Sequence, residues 1–256
     1  MERKYTDDEI IRRVWDVLEI KNLMGRHAYF HAYDMHEAEI CELWVSDESH
    51  QKTASFGQNW GYQVGIETIR SNYVDQNLAW HRAALSAICE KDSSVAHKSE
   101  NLGIGTMLIH TLTTPYVEVA GDGRTAQGMW YSPGQVTVAG PDGVECMWMY
   151  ERYGVDFIRE QTGWKIWHMF IGTDFIVHPG TLMRDVPVPD EEASVSAPEG
   201  LDITIPMQAY SARHNFSEYP YIPQPYEVFD PKRGNGPEGN PAYKGYGAQT
   251  EGGTLQ

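Results

Sequence analysis

Apolar and polar positions along this chain follow two regimes, a helical period first and an alternating one after it. Thr6-Asp7-Asp8-Glu9 has the form of a capping box, a Thr followed three residues later by a Glu, ahead of an apolar series. Ile10, Val14, Val17, Leu18 and Leu23 then recur at helical spacing and predict a first helix to about Tyr33, with these residues on its core face. A short second helix is expected over residues 36–44. A third opens at Gly65-Ile66-Glu67 and carries Tyr73 and Val74 on its apolar side. From about Ser93 the period changes. Residues 106–120 are rich in Thr, Val, Ile and Leu, as strands are, and Pro115 among them marks a bulge or an edge. Turns at Gly121-Asp122-Gly123, Gly140-Pro141-Asp142-Gly143 and Gln161-Thr162-Gly163 separate further strands over 125–132, 144–160 and 164–175. Helices first and an antiparallel meander second predict an α+β fold, with helices on one face of a curved sheet.

The texture shifts again after Phe175. Most of the 14 prolines lie beyond it, and Tyr219-Pro220-Tyr221-Ile222-Pro223-Gln224-Pro225-Tyr226 is aromatic and extended. Such a stretch cannot build its own core. Residues 1–176 are therefore expected to form the domain, and 177–256 a tail that lies over it or over a neighbouring subunit.

Composition narrows the function classes. A formal charge of −16 disfavours nucleic acid and anionic membranes, both of which need a basic footprint. No apolar run approaches the ~20 residues of a membrane span. Cys41, Cys89 and Cys146 show no paired spacing, so they are expected to be reduced and buried as small hydrophobes. The N-terminal residues hold no apolar signal core, and a soluble cytoplasmic protein is expected.

Candidate chemistry then rests on polar residues in apolar settings. Strict alternation places His110 on one strand face with Leu108 and Leu112. A buried imidazole there must be satisfied. It is either a core histidine bonded to a carbonyl or a pocket group that moves protons near neutral pH. Alternation likewise puts His168 beside Ile166 and Phe170, with Trp167 and Met169 on the opposite, outward face. Those two would be an exposed apolar patch unless covered, so a homo-oligomer, dimer or trimer, is expected. Tyr29 and Tyr33 are four apart and share a helix face, with Asp34 following. His27 and His31 have a spacing that can hold a metal, with His36 as a third ligand, but the Glu of the H-E-x-x-H pattern is missing. No metal is expected, and His31 is read as a pocket-lining group. His81 is a candidate for the pocket rim, Asn101 for a hydrogen-bond donor and Tyr131 for a substrate contact. Surface positions are the plain alternative for His81 and Asn101. An aromatic content of 12% suits a pocket for flat rings.

The order of these parts resembles the SnoaL-like branch of the nuclear-transport-factor-2-like superfamily over residues 6–176. Three stretches carry it: the first helix ending in Tyr29, Tyr33 and Asp34; Gly65-x-Glu67-x-Ile69; and the run from His110 through Ala126 with Trp164-Lys-Ile-Trp-His168 closing. The resemblance implies a cone, a bent sheet wrapped by helices around a deep apolar pocket. It also implies acid–base chemistry of the kind seen in scytalone dehydratase and bile-acid 7α-dehydratase, which place a Tyr and an Asp on the first helix and a His on the sheet. Length and the Pro/Tyr-rich tail look more like the cofactor-free γ-formaldehyde lyases of lignin-derived aromatics. On that resemblance His110 is the base, Asp34 its orienter, Tyr29 or Tyr33 a substrate contact, and His168 an aid to hydroxide departure. The expected function is a cofactor-independent lyase that releases formaldehyde from a phenolic diarylpropane diol. A dehydratase or isomerase and a non-catalytic binding subunit are the alternatives.

Overall fold

The capping box closes as expected in the computed structural model, which describes residues 5–140, 143–182, 185, 200–206 and 218–243. Thr6 N donates to Glu9 Oε2 at 2.7 Å and Glu9 N to Thr6 Oγ1 at 3.3 Å, satisfying two donors that the helix leaves free. Helix α1 (Asp7–Ala32) starts there. It is followed by α2 (His36–Leu43), α3 (Glu48–Gln51), β1 (Ser55–Gln58) and β2 (Gly61–Val64). Next come α4 (Ile66–Arg70), a π turn over Ser71–Gln76 and α5 (Asn77–Lys91). The strands β3 (Met107–His110), β4 (Thr113–Val119), β5 (Thr125–Gly140), β6 (Gly143–Glu160), β7 (Gly163–Val177) and β8 (Ile203–Thr204) complete the order.

The architecture is α+β: the N-terminal helices pack on one face of a curved, open sheet. Among the described residues its order is β3-β5-β6-β7-β1-β2-β8, with β4 also paired to β5. Pairing is antiparallel except between β1 and β7. The β1–β2 hairpin and helix α5 were not among the expected elements. The β1–β2 segment is short and Gly-rich, and its sheet position depends on partners more than a hundred residues away. The tip of the β5–β6 turn lies outside the described residues.

Helix α1 departs from its sequence pattern. Asp16, Ile20, Leu23, Met24 and His27 are buried, whereas Ile10, Ile11, Val14, Trp15 and Leu18 are exposed. With 3.6 residues per turn these two sets lie on opposite sides. The buried side includes an Asp because Arg159 and the Trp164 indole reach it at 2.6 and 3.3 Å. The inner core joins Ile20, Met24, Leu43 and Trp44 to Val155, Phe157, Ile166 and Met169 of the sheet.

A bulge decides which face each residue of β7 takes. Asp156 pairs with His168 but Phe157 pairs with Ile166, so Trp167 is the extra residue. A slip of one residue exchanges faces. Ile166 and Met169 therefore point to the helices, while His168 and Phe170 point to the other side. The expected grouping of Ile166, His168 and Phe170 fails here, and Met169 is fully buried rather than outward. The outward Trp167–Met169 patch from which a homo-oligomer was expected is thus absent. Exposed apolar side chains gather on α1, among them Ile11, Val14, Trp15 and Leu18, and others lie on the strands and the tail.

Residues 218–243 cover the outer face. Tyr219 packs with Tyr62 and Phe170, and Gly121 N donates to Tyr226 O at 2.9 Å. At Gly154 a side chain would strike Asn235 and Pro220, so glycine is what lets the tail lie on the sheet. Most of 179–217 and all of 244–256 lie outside the described residues. Cys41 and Cys146 are exposed and Cys89 is partly so, contrary to the expectation that they are buried; all three are free thiols. No described helix is long and apolar enough to cross a membrane.

The tail is pinned through Asn235, whose backbone and side-chain amides both donate to buried Asp156, at 2.6 and 2.8 Å. Asn235→Ala removes one of these donors from a fully buried carboxylate. It is expected to lower unfolding stability by about 1–3 kcal/mol and to expose residues 218–243 to protease. A urea melt and a timed digestion check both.

Candidate active site

Three elements deliver the polar groups of the inner cavity. Helix α1 ends in a Schellman closure: Met35 N donates to Phe30 O at 2.8 Å and Asp34 N to His31 O at 3.3 Å, with Asp34 in the left-handed region at φ 57°. Glycine is usual at that position, and Asp is among the few residues that tolerate it. The turn redirects the chain so that His31, in the last turn of α1, meets His36 and Glu39 in the first turn of α2. The sheet supplies the rest. His110 ends β3, and Glu151 and Tyr153 lie on the inward face of β6 with Met149. The π turn contributes Tyr73.

Buried His110 places its Nδ1 2.9 Å from Glu151 Oε2, and the Thr173 hydroxyl donates to Glu151 Oε1 at 2.9 Å. A carboxylate only accepts, so His110 Nδ1 is the donor to Glu151, and Nε2 is the ring nitrogen that Glu151 does not engage. The His31 ring lies against His110, centroid to centroid 4.8 Å, and against His36 at 4.9 Å. His31, His110 and Glu151 border a cavity of about 340 Å³ that Tyr73, Trp80 and Tyr153 also line.

Electrostatics sort the protonation states. Burial pushes the His31 imidazole down to about 4, with Glu39 opposing and His110 adding to the effect, so it is neutral at neutral pH. Burial works to raise the Glu39 carboxyl. The surrounding imidazoles, His27 foremost at 2.8 Å, outweigh it and hold the group well below the usual range. Burial, reinforced by Glu39 and Glu151, pushes the Tyr73 and Tyr153 phenols far above theirs, so both stay protonated as hydrogen-bond donors.

The residues singled out from the sequence divide by place. His110 and His31 line the inner cavity together. Asp34 is 43% exposed at its side chain and faces His36 and His81, at 3.6 and 3.5 Å, not His110. His81 itself is buried on α5 behind the cavity wall, in a helix rather than at an irregular rim. Asn101 donates to Ala96 O within its own loop. Tyr29 and Tyr33 stack on each other at 65% and 69% exposure, on the α1 side that faces away from the sheet. Tyr131 lies on the outer face, in a second cavity of about 710 Å³ between sheet and tail. His168 is outer as well. Its Nδ1 lies 2.9 Å from Asp156 Oδ2 and its ring stacks on Trp167, 4.2 Å away. The bulge at Trp167 is the reason it leaves the pocket.

Glu151, Glu39, Tyr73 and Tyr153 were not anticipated. A signal existed for two of them. Glu151 stands in the alternation Met149, Glu151, Tyr153, Val155, Phe157, and Glu39 shares the buried side of α2 with His36, Ile40 and Leu43. A carboxylate on an apolar face carries the same message as a histidine there.

Comparison with known proteins agrees with this architecture. The sequence profile of the SnoaL-like domain matches residues 12–169. No curated protein matches the chain. Among solved structures it is similar to an NTF2-like protein with a cystatin-like fold from Novosphingobium aromaticivorans, at 16% identity and a TM-score of 0.44, over 71% of this chain and 94% of that one. A candidate scytalone dehydratase from the same organism is similar at 9% identity and a TM-score of 0.46, over 66% and 91%. An NTF2-like protein described as a dehydratase candidate, from Streptomyces avermitilis, is similar at 16% and 0.45, over 62% and 95%.

The two faces give His168 and His110 separable roles. His168→Ala leaves Asp156 with one partner fewer, and is expected to cost about 1–3 kcal/mol and to loosen the tail while turnover in the inner cavity persists. Parallel proteolysis and rate measurements decide this. Lost turnover with a tail as resistant as in the wild type would return His168 to the reacting groups.

Proposed function

The chain belongs to the SnoaL-like family, and on that premise we propose that its inner cavity houses an acid–base lyase acting on a phenolic aromatic alcohol. The observation that carries this reading is the buried His110–Glu151 pair facing a cavity with two protonated tyrosines. Glu151 holds His110 in one tautomer, and its Nε2 takes a proton from a substrate hydroxyl or carbon. Tyr153 donates a hydrogen bond to the substrate oxygen that gains charge, and the Tyr73 hydroxyl, which donates to Met169 Sδ at 3.9 Å, exchanges that weak contact to join it. The volume admits a molecule with one or two aromatic rings, and the ring-rich lining suits flat surfaces.

The specific reaction proposed is deformylation of a phenolic diarylpropane-1,3-diol. Loss of the benzylic hydroxyl as water gives a quinone methide. Removal of the γ-hydroxyl proton by His110 then breaks the adjacent C–C bond; its electron pair becomes the stilbene double bond, the exocyclic pair of the quinone methide returns to the ring, and the phenolate oxygen takes up a proton. Formaldehyde and a stilbene leave, so the diol equals stilbene, formaldehyde and water in atoms. The role of orienting His110, expected of Asp34, falls in this reading to Glu151.

The test mixes the protein with such a diol and follows formaldehyde and stilbene absorbance together. Both products are expected in equal amounts, and His110→Ala is expected to reduce the rate about 10²–10⁴-fold. Glu151→Gln is expected to slow turnover while leaving substrate affinity near the wild type. A dehydrated product without formaldehyde would replace deformylation by simple dehydration. Undiminished turnover in His110→Ala would remove the site altogether.

A further inference from the structure

Beside the cavity lies a second polar cluster that the acid–base reading does not use. Glu39 is fully buried on α2, ringed by His27, His31 and His36. Its Oε1 takes the His27 contact at 2.8 Å. Its Oε2 lies 3.7 Å from His31 Nδ1 and 3.6 Å from His36 Nδ1, beyond hydrogen-bond reach. Those three atoms, with His36 Nε2 and His27 Nε2, are buried and have no hydrogen-bond partner among the described residues. Buried polar atoms in native proteins are nearly always satisfied, so such a group of them calls for an explanation.

The molecule contains its own contrast. Asp47, His50 and Glu160 also gather within ligand spacing. There, however, Glu160 accepts from Ser46 N, Ser46 Oγ, Asp47 N and His50 Nδ1 and closes the start of α3. That cluster is complete as a hydrogen-bonded cap, and the Glu39 cluster is not.

We propose that His31, His36 and Glu39 bind a divalent first-row transition metal of the zinc type at the wall of the inner cavity. One donor from each residue lies within 4.8 Å of the others. Tetrahedral coordination at ordinary Zn–N and Zn–O lengths sets donors about 3.4 Å apart, so the Glu39 contacts need to close by only about 0.3 Å. Two imidazoles and one carboxylate select zinc, cobalt or nickel over magnesium or calcium, which prefer all-oxygen shells. His27 has the place of an outer partner that orients the ligating carboxylate. Of the three ligands His31 also lines the cavity, which puts the site next to the substrate space. This site goes beyond the proposed lyase chemistry and departs from the expectation, read from the sequence, that no metal is bound.

The test is cobalt titration of the full-length, chelator-treated protein, read by visible absorption and by calorimetry with zinc, with no turnover needed. One ion per chain and the visible bands of a low-coordinate cobalt site are expected. His27→Ala should weaken binding about 10–100-fold. His36→Ala and Glu39→Gln should weaken it further still, and His50→Ala should leave it unchanged. Glu39→Gln keeps the side-chain shape, so a folding failure of His36→Ala does not decide the matter. No binding by the wild type, undiminished binding in Glu39→Gln, or loss of binding in His50→Ala would each overturn the proposal. Because the readout is metal affinity, failure here is distinct from failure of the diol assay.

Discussion

Two buried carboxylates on opposite faces of β6, Glu151 and Asp156, set the layout of this protein. Leaving an ionised carboxylate without partners inside a protein is costly, so each recruits a histidine and further donors. Glu151 on the inward side holds His110 and Thr173. Asp156 on the outward side holds His168, Gln127 and Asn235. The first arrangement makes a reactive group, because its imidazole borders a cavity and keeps one nitrogen that the carboxylate does not engage. The second makes a clamp, because the tail folds over it and the histidine is packed between Trp167 and Phe229.

The same chemical pair thus serves two ends, and surroundings alone decide which. On the inner face the neighbours are Tyr73, Tyr153 and His31, whose polar atoms can meet a substrate. On the outer face they are Gly154, Gly236 and the prolines of residues 218–243, chosen for close approach of backbone to sheet. A fold whose sheet is covered on both faces can keep its chemistry away from solvent without a separate lid. The described residues of the tail take no part in lining the inner cavity but protect the sheet that supports it.

Helix α1 shows how a polar residue redirects an amphipathic reading. Counting apolar residues favours the Ile10, Val14, Leu18 side. The protein instead buries the side with Asp16 and His27, because Arg159, Trp164 and Glu39 satisfy them. The displaced apolar side, with Trp15, Tyr29 and Tyr33, faces outward. The tyrosines expected near the substrate therefore lie on the wrong side of their own helix, and the tyrosines that do line the cavity come from the π turn and from β6.

What the chain determined by itself was everything that depends on neighbours in sequence. The capping box, the change of period near residue 93, the turns at 121–123 and 161–163, and the apolar setting of His110 are local signals, and together they were enough for the α+β class and the SnoaL-like resemblance. What the tertiary structure alone decided was every pairing across distance: Glu151 rather than Asp34 beside His110, the gathering of His31, His36 and Glu39, and the outward turn of His168. The last case shows the physical reason. A strand's alternation predicts faces only while its register is unbroken, and one extra residue at Trp167, stabilised by contacts with Thr53 and Phe229 far away in the chain, exchanges the faces from His168 until a second extra residue, Asp174, restores them.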